Sequence, residues 1–523
     1  MTRLEHRHRV DRDEAIAWLR ARNDVLIENR IGGDEGRSAI FEAHAGPFHS
    51  WERTVTITDV EDGRVVVDEV VHYDLAVPVW GVLFRPALRH HLRRAPTTHG
   101  KPPWWAPPEA LDARAATVLS LLCVFAAVGG YLGTIITQTL TYAAGQFGAS
   151  TGDQGELLAS VRIGVLLSLA VVAFADRRGR RVVLVLSLIG ACVFTALGAL
   201  APGMWWLGTS QTFARALSTV IGLLVAIIAV EEMPSGARAF AVSVLTMTAA
   251  LGAGLCVANL LYVDVAVWAW RIAYVVPLLA IVPCWRVARR LPESKRFEEH
   301  RLATSAREDR GPLTTTDAPS RPGRGIDWRR FALLSCAGFL WSMFLAPAAQ
   351  FLNEFLRTER GFSGALIAIF VLATNTPGGI GIILGGKLAD RRGRRIVGSV
   401  GIAGGVGFTV VSYLSWGWPL WLASIAATMI GAIAVPALAV YGPELFPTTQ
   451  RGTANGGLQV FGVMGSSLGL LIVGWLADRI GGLGQAMAVV AIAPAILIVL
   501  VLVLFPETTR RELEDLNPSD RID

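Results

Sequence analysis

The sequence predicts an all-α membrane protein. It has twelve transmembrane helices in two pseudo-symmetric six-helix halves, with a small α+β domain ahead of them. Three observations carry this. The 523 residues are 52% hydrophobic and only 17% charged, with a mean hydropathy of +0.47, too apolar for an ordinary soluble chain. Twelve segments are long enough to cross about 30 Å of hydrocarbon, which takes roughly 20 apolar residues of helix. Three landmarks also recur in order. Asp176-Arg177-Arg178-Gly179-Arg180-Arg181 is followed by Glu231 and Arg238 and then by Pro292-Glu293-Ser294. Asp390-Arg391-Arg392-Gly393-Arg394-Arg395 is followed by Glu444 and Arg451 and then by Pro506-Glu507-Thr508. Pro292 follows Asp176 by 116 positions and Pro506 follows Asp390 by the same 116; each Glu precedes its Arg by 7. Order and spacing together mark an internal repeat.

Residues 1–95 differ in character from the rest of the chain and predict a cytoplasmic α+β domain. An Asp cap opens a short amphipathic helix at 11–22. Alternating segments at 51–59 and 64–75 flank Asp62-Gly63 and predict a hairpin. A helix is expected over 80–94, limited by Pro86. Strands followed by a terminal helix weakly resemble the end of a polyketide-cyclase-like helix-grip domain, in a segment short for that complete fold. Without an apolar core near its start the chain is expected to carry no cleavable signal. Residues 96–112 are Pro-rich and form a linker.

The predicted spans are 117–142, 156–174, 182–201, 205–230, 239–261 and 270–288 in the first half (113–290). Those of the second half (328–506) are 331–355, 365–384, 396–414, 420–441, 453–476 and 487–505. The central loop, 291–327, is polar, with a surface helix expected at 294–306 and disorder near 311–324. A short tail, 507–523, ends the chain. Both basic hairpins, the central loop and both termini then share one side. Lys and Arg dominate there, so that side is expected to be cytoplasmic and the protein a multi-pass plasma-membrane protein.

The loop Gly386-Lys387-Leu388-Ala389-Asp390-Arg391-Arg392-Gly393-Arg394-Arg395 fits a G-x-L-x-D-R-x-G-R-R signature. Glu444-Leu445-Phe446-Pro447 with Arg451, and the two Pro-Glu-Ser/Thr ends, complete a set. With these the chain resembles the major facilitator superfamily, nearest its sugar-porter and metabolite–proton symporter branches, from about Ala113 to Leu516. The resemblance implies a twelve-helix transporter. It also implies a gate network on the cytoplasmic face: Asp176, Arg180, Glu231 and Arg238 in one half, Asp390, Arg394, Glu444 and Arg451 in the other. Val172 stands where the first copy's leading Gly would be, and close approach of spans favours small residues.

Charges inside the bilayer are costly and mark function by default. Arg215 matches the family's arginine in the fourth span. Arg162, in the second, has Asp153 or Glu156 as expected partners. In the first span Gly130-Tyr131-Leu132-Gly133 puts Leu132 where proton-coupled relatives carry an acid. That leaves facilitated diffusion, another coupling group, or a carboxylate on the substrate. Glu354, at the outer end of the seventh span, reads as exposed. Tyr131, Thr134, Gln138, Gln211, Gln350, Asn375 and Gln459 are the polar residues at mid-span depth, and Trp341 and Tyr441 are candidates for ring stacking. A polar midplane cavity is expected from them.

The formal charge of +6 follows the positive-inside pattern and does not point to nucleic acid. Five cysteines without ligand spacing predict neither a disulfide nor a metal site, and no cofactor is expected. No nucleophile–base pair or phosphate loop stands out, so the expectation is not an enzyme. It is a secondary active or facilitative transporter of a small organic solute, a sugar or an organic or aromatic acid. Its partners are the solute, the bilayer and candidate coupling protons, and it works by alternating access. Efflux of hydrophobic compounds is the alternative within the class. A transporter-like sensor with the N-terminal domain as output is the alternative outside it.

Overall fold

The computed structural model describes residues 2–59, 64–96, 102–103, 105–292, 327–439, 441, 445–446 and 451–506. The Asp62-Gly63 turn, the central-loop helix at 294–306 and the tail lie outside the described residues.

The N-terminal unit is a five-stranded antiparallel sheet: β1 Thr2–Asp11, β2 Ile27–Gly32, β3 Ser38–Ala45, β4 Phe48–Asp59 and β5 Arg64–Leu75, in the order β1-β5-β4-β3-β2. Two helices, α1 Arg12–Trp18 and α2 Gly81–Leu92, cover one face of it. Ala15 and Trp18 pack on Ala39, Phe41, Val55 and Val67. Leu88 and Leu92 pack on Trp51, Val71 and Tyr73. The expected hairpin strands are β4 and β5, and β4 starts earlier than expected. The first helix ends at Trp18 rather than at residue 22. The second runs through Pro86, which sits near its middle and removes only one ladder hydrogen bond. The first and last strands lie side by side, and a terminal helix grips the sheet.

The unit is fastened to the membrane part just after β5. Thr117 Oγ1 donates to the Ala76 carbonyl at 3.1 Å, and Trp80 Nε1 donates to the Ser120 carbonyl at 3.1 Å. Ser120 Oγ also donates to the Pro78 carbonyl.

Among the described residues, twelve helices are long and apolar enough to cross a membrane: Ala113–Phe147, Thr151–Val172, Arg180–Ala199, Met204–Glu232, Arg238–Leu261, Trp270–Arg290, Trp328–Glu359, Gly364–Ile382, Arg394–Leu414, Gly417–Leu438, Gly456–Ile480 and Leu483–Leu504. They are numbered here as spans one to twelve. Their packing repeats between halves. Span one lies on five as seven lies on eleven. Spans two and three lie on four as eight and nine lie on ten. Spans one and five cross closely: a Cβ on Gly130 would meet the Ala249 carbonyl oxygen at 1.9 Å, and one on Gly252 the Ala127 carbonyl oxygen at 1.8 Å. Without a hydrophobic force between helices in lipid, such small-residue contacts let dispersion hold them together. Between the halves, span two packs along span eleven.

Span seven is not uniform. Pro347 lies inside it, and it ends in a wide π-type turn over Phe355–Glu359. Such turns re-aim side chains, and this one lies beside the residues that close one end of the molecule.

Candidate functional site

A cavity of about 1010 Å³ lies between the halves. Span two contributes Arg162 and span four contributes Arg215 and Thr219. Span seven contributes Trp341, Ser342 and Ala349, span eleven Gln459 and Ser466, and span twelve Leu497 and Val501, with Phe505 just past its end. The cavity runs from mid-span depth at Arg215 and Ala349 towards Leu334, Leu438 and Phe505. Those ends lie on the face of the two basic loops, called here the basic face.

The opposite, far face is closed by bonds between halves. Thr137 Oγ1 donates to Gln350 Oε1 at 2.7 Å, and Asn353 Nδ2 donates to Gln138 Oε1 at 3.0 Å. Thr141 Oγ1 donates to Glu354. Arg357 reaches Asp264 at 2.7 Å, and the Gly152 amide donates to Asp478 at 2.8 Å. The chain is therefore closed at the far face and has its cavity directed to the basic face.

The mid-span residues separate into groups. Arg215, Trp341 and Gln459 line the cavity. Gln138 and Gln350 belong to the far-face closure. Tyr131 is buried: its hydroxyl donates to the Ala273 carbonyl at 2.8 Å and accepts from Asn259 Nδ2 at 2.9 Å. Thr134 satisfies its hydroxyl on the Gly130 carbonyl of its own helix at 2.8 Å. Gln211 is 2% exposed and sits among buried side chains, and Asn375 lies on an exposed face. Tyr441 is buried edge-on against Phe505 at 4.9 Å.

Two expectations are corrected. Arg162 faces the cavity, while Asp153 is occupied in a capping box with Ser150. Glu354 is not exposed. It is 8% exposed because span seven presses its far end against span one.

Arg215 Nη1 donates to the Gly133 carbonyl at 2.5 Å, which aims the guanidinium across span one and leaves its remaining donors for the cavity. No acidic residue lines the cavity among the described residues. Two guanidiniums without a facing carboxylate make it a positive site in a low-dielectric wall. Arg fits a carboxylate bidentately.

On the basic face Arg180 forms an ion pair with Glu231. Glu232, next in sequence, pairs with Arg114 at 3.0 Å, a tie between spans one and four that the motif reading did not contain. Arg238 Nε reaches the Met233 carbonyl at 3.5 Å, and Arg394 is half-buried. Glu444 and the side chains of Asp176, Asp390 and Arg451 lie outside the described residues.

Twelve spans in two matched halves around a central cavity define a multi-pass membrane transporter. The Major Facilitator Superfamily model matches residues 117–374 and 330–520, and the chain belongs to that family. Among curated proteins it is similar to the cis,cis-muconate transport protein of Acinetobacter baylyi, at 25% identity over 367 residues, 69% of this chain and 86% of the relative. Among solved structures it resembles the inward-open xylose transporter XylE of E. coli, at 16% identity and TM-score 0.62, covering 77% of this chain and 99% of XylE. It also resembles an inward-facing bacterial homologue of the human lysosomal transporter Spinster, at 15% identity and TM-score 0.60, covering 78% and 99%. These likenesses establish the fold.

Proposed function

We propose that the protein carries a small organic carboxylate across the plasma membrane by alternating access. The basic face and both termini lie in the cytoplasm in this reading. The observation that carries it is the cavity's charge: Arg162 and Arg215 line it and no carboxylate does so among the described residues. A sugar needs no such pair, whereas an anion does, since a buried charge is tolerated only when partnered. Trp341 offers a face for an unsaturated or aromatic body. The relative named for cis,cis-muconate, an unsaturated dicarboxylate, supports the same class. Arg180 with Glu231, and the matching charges of the second half, hold the cytoplasmic ends when the cavity turns outward.

The test is uptake by proteoliposomes of a labelled panel of sugars, aliphatic acids and aromatic acids, with and without a pH gradient. Saturable uptake of carboxylates but not sugars is the expected result. Uptake of sugars alone would overturn the assignment. Extrusion of hydrophobic cations instead would favour the efflux reading.

A further inference from the structure

The N-terminal sheet carries a side-chain cluster that transport does not use. Strand β1 is an edge strand, and alternate residues turn to its covered face, His6 and His8 among them. Across the ladder, His6 is the register partner of Glu69 on β5 and His8 that of Val67. Period-2 geometry therefore puts two imidazoles on one side of a strand with a carboxylate directly beside them.

One ligand atom from each of His6, His8 and Glu69 lies within 4.8 Å of the others. His6 Nδ1 is 3.5 Å from Glu69 Oε2. His6 Nδ1, His8 Nε2 and Glu69 Oε2 are all buried and without a hydrogen-bond partner, and Glu69 is 1% exposed. Three buried polar atoms without partners, gathered at one spot, call for a shared partner, because each buried orphan costs about 1–3 kcal/mol.

The surroundings are built to hold the carboxylate. Its other oxygen, Oε1, faces Arg53 at 3.5 Å and Arg22 at 3.9 Å. Arg53 is itself held by Glu28 at 2.6 Å. The His8 ring stacks on Trp18 at 4.4 Å between centroids. Groups that fix a ligand's free side in this way set its orientation.

We propose that His6, His8 and Glu69 form a binding site for a divalent transition-metal ion of the zinc class. Two imidazoles and one carboxylate suit that class rather than calcium or magnesium. Metal–nitrogen bonds of about 2.0–2.1 Å in a tetrahedron hold ligand atoms about 3.4 Å apart. The His6–Glu69 pair already stands at 3.5 Å. A side-chain adjustment of His8 by about an ångström completes three ligands and leaves the fourth position open, the three-ligand pattern of open zinc sites. The ion ties the edge strand to β5, the strand whose end is fastened to span one.

The test uses full-length, tag-free protein in detergent, stripped with chelator and titrated with cobalt(II). One equivalent bound, with visible absorption bands displaced by zinc, is expected. His8→Ala weakens binding about ten-fold or more, while the metal-free protein still folds, its melting lowered only by the loss of the stack on Trp18. His72→Ala, on the other face of β5, leaves affinity unchanged. Glu69→Gln loses the stoichiometric site. If Glu69→Gln misfolds, His6→Ala serves in its place, with the same expected loss. No stoichiometric cobalt binding by wild type, or equal affinity in His8→Ala, would overturn the proposal.

Discussion

Asp264, between spans five and six, accepts from Arg357 of span seven at 2.7 Å and from the backbone amide of Gly364 at 2.5 Å. It thus ties the first half to both ends of the turn joining spans seven and eight. Arg357 also covers the Tyr142 ring, at 4.3 Å from its centroid. This small node belongs to the far-face closure. Partial burial pushes the Asp264 carboxyl up, but the Arg357 and Gly364 hydrogen bonds and the Arg357 charge outweigh it and hold the pKa below the ordinary value. A lowered pKa means the tie is present at and above the ordinary carboxylate range and is lost as pH falls through the lowered value.

Asp264→Asn is therefore expected to shift the chain towards the state open on the far face. Exposed pairs contribute about 0.2–1 kcal/mol, so the shift is a few-fold and not complete. Spin-label distances between the far ends of spans one and seven in liposomes measure it. Identical distance distributions for wild type and Asp264→Asn at neutral pH would show that the tie does not bias the equilibrium.

Arg215 is expected to carry substrate affinity. Removing one charge-assisted partner costs about 1.5–3 kcal/mol, so Arg215→Ala raises the half-saturating concentration about ten- to hundred-fold. Arg215→Lys keeps the charge and loses the planar fork, so it lies between the two. Arg162→Ala shows a smaller loss of the same kind. Counterflow rates with a carboxylate substrate read these values. A normal half-saturating concentration in Arg215→Ala would remove the residue from the binding site.

The close crossing of spans one and five makes a sharp stability prediction. An Ala at 252 would put its Cβ 1.8 Å from the Ala127 carbonyl oxygen, a backbone atom that cannot rotate away. The helices must separate, at a cost of about 1–3 kcal/mol. Gly254→Ala, with nothing within 4 Å, is the control and is expected to melt in detergent no lower than the wild type. A Gly252→Ala variant that melts with the control would contradict the crossing.

Depth along a helix was readable in the sequence, and direction around it was not. The predicted span at 396–414 is Arg394–Leu414 and the predicted strand at 64–75 is Arg64–Leu75, because apolar runs and turn residues mark ends. A span apolar on all sides shows no period to say which face meets the cavity. In sequence, Tyr131, Gln138 and Gln350 are therefore indistinguishable from Arg215, and only the neighbouring spans separate them. Partnership was equally hidden: Asp153 seemed free for Arg162 but closes its own helix cap. Apolar alternation does not mark strand β1, because its covered face is built partly from His6 and His8.

The same burial that hid Glu354 makes it the candidate for the proton carrier missing from span one. Its carboxyl accepts from Thr141 across the junction of the halves, and the motion that opens the far face must break that contact. A carboxyl enclosed between the halves in one state and wetted in the other can exchange its proton with water in one state only, which ties its occupancy to the conformational cycle. In this scheme the proton enters when the far face is open and accompanies closure. Glu354→Gln mimics the protonated acid permanently. It is expected to abolish accumulation driven by a pH gradient while leaving substrate counterflow, which needs no net proton movement, within a few-fold of wild type. Thr141→Ala keeps the acid and removes its donor, so it retains accumulation at a reduced level. Should Glu354→Gln still concentrate substrate as wild type does, the proton travels on another group, and the substrate's own carboxylate is the next to test, with acids of differing pKa.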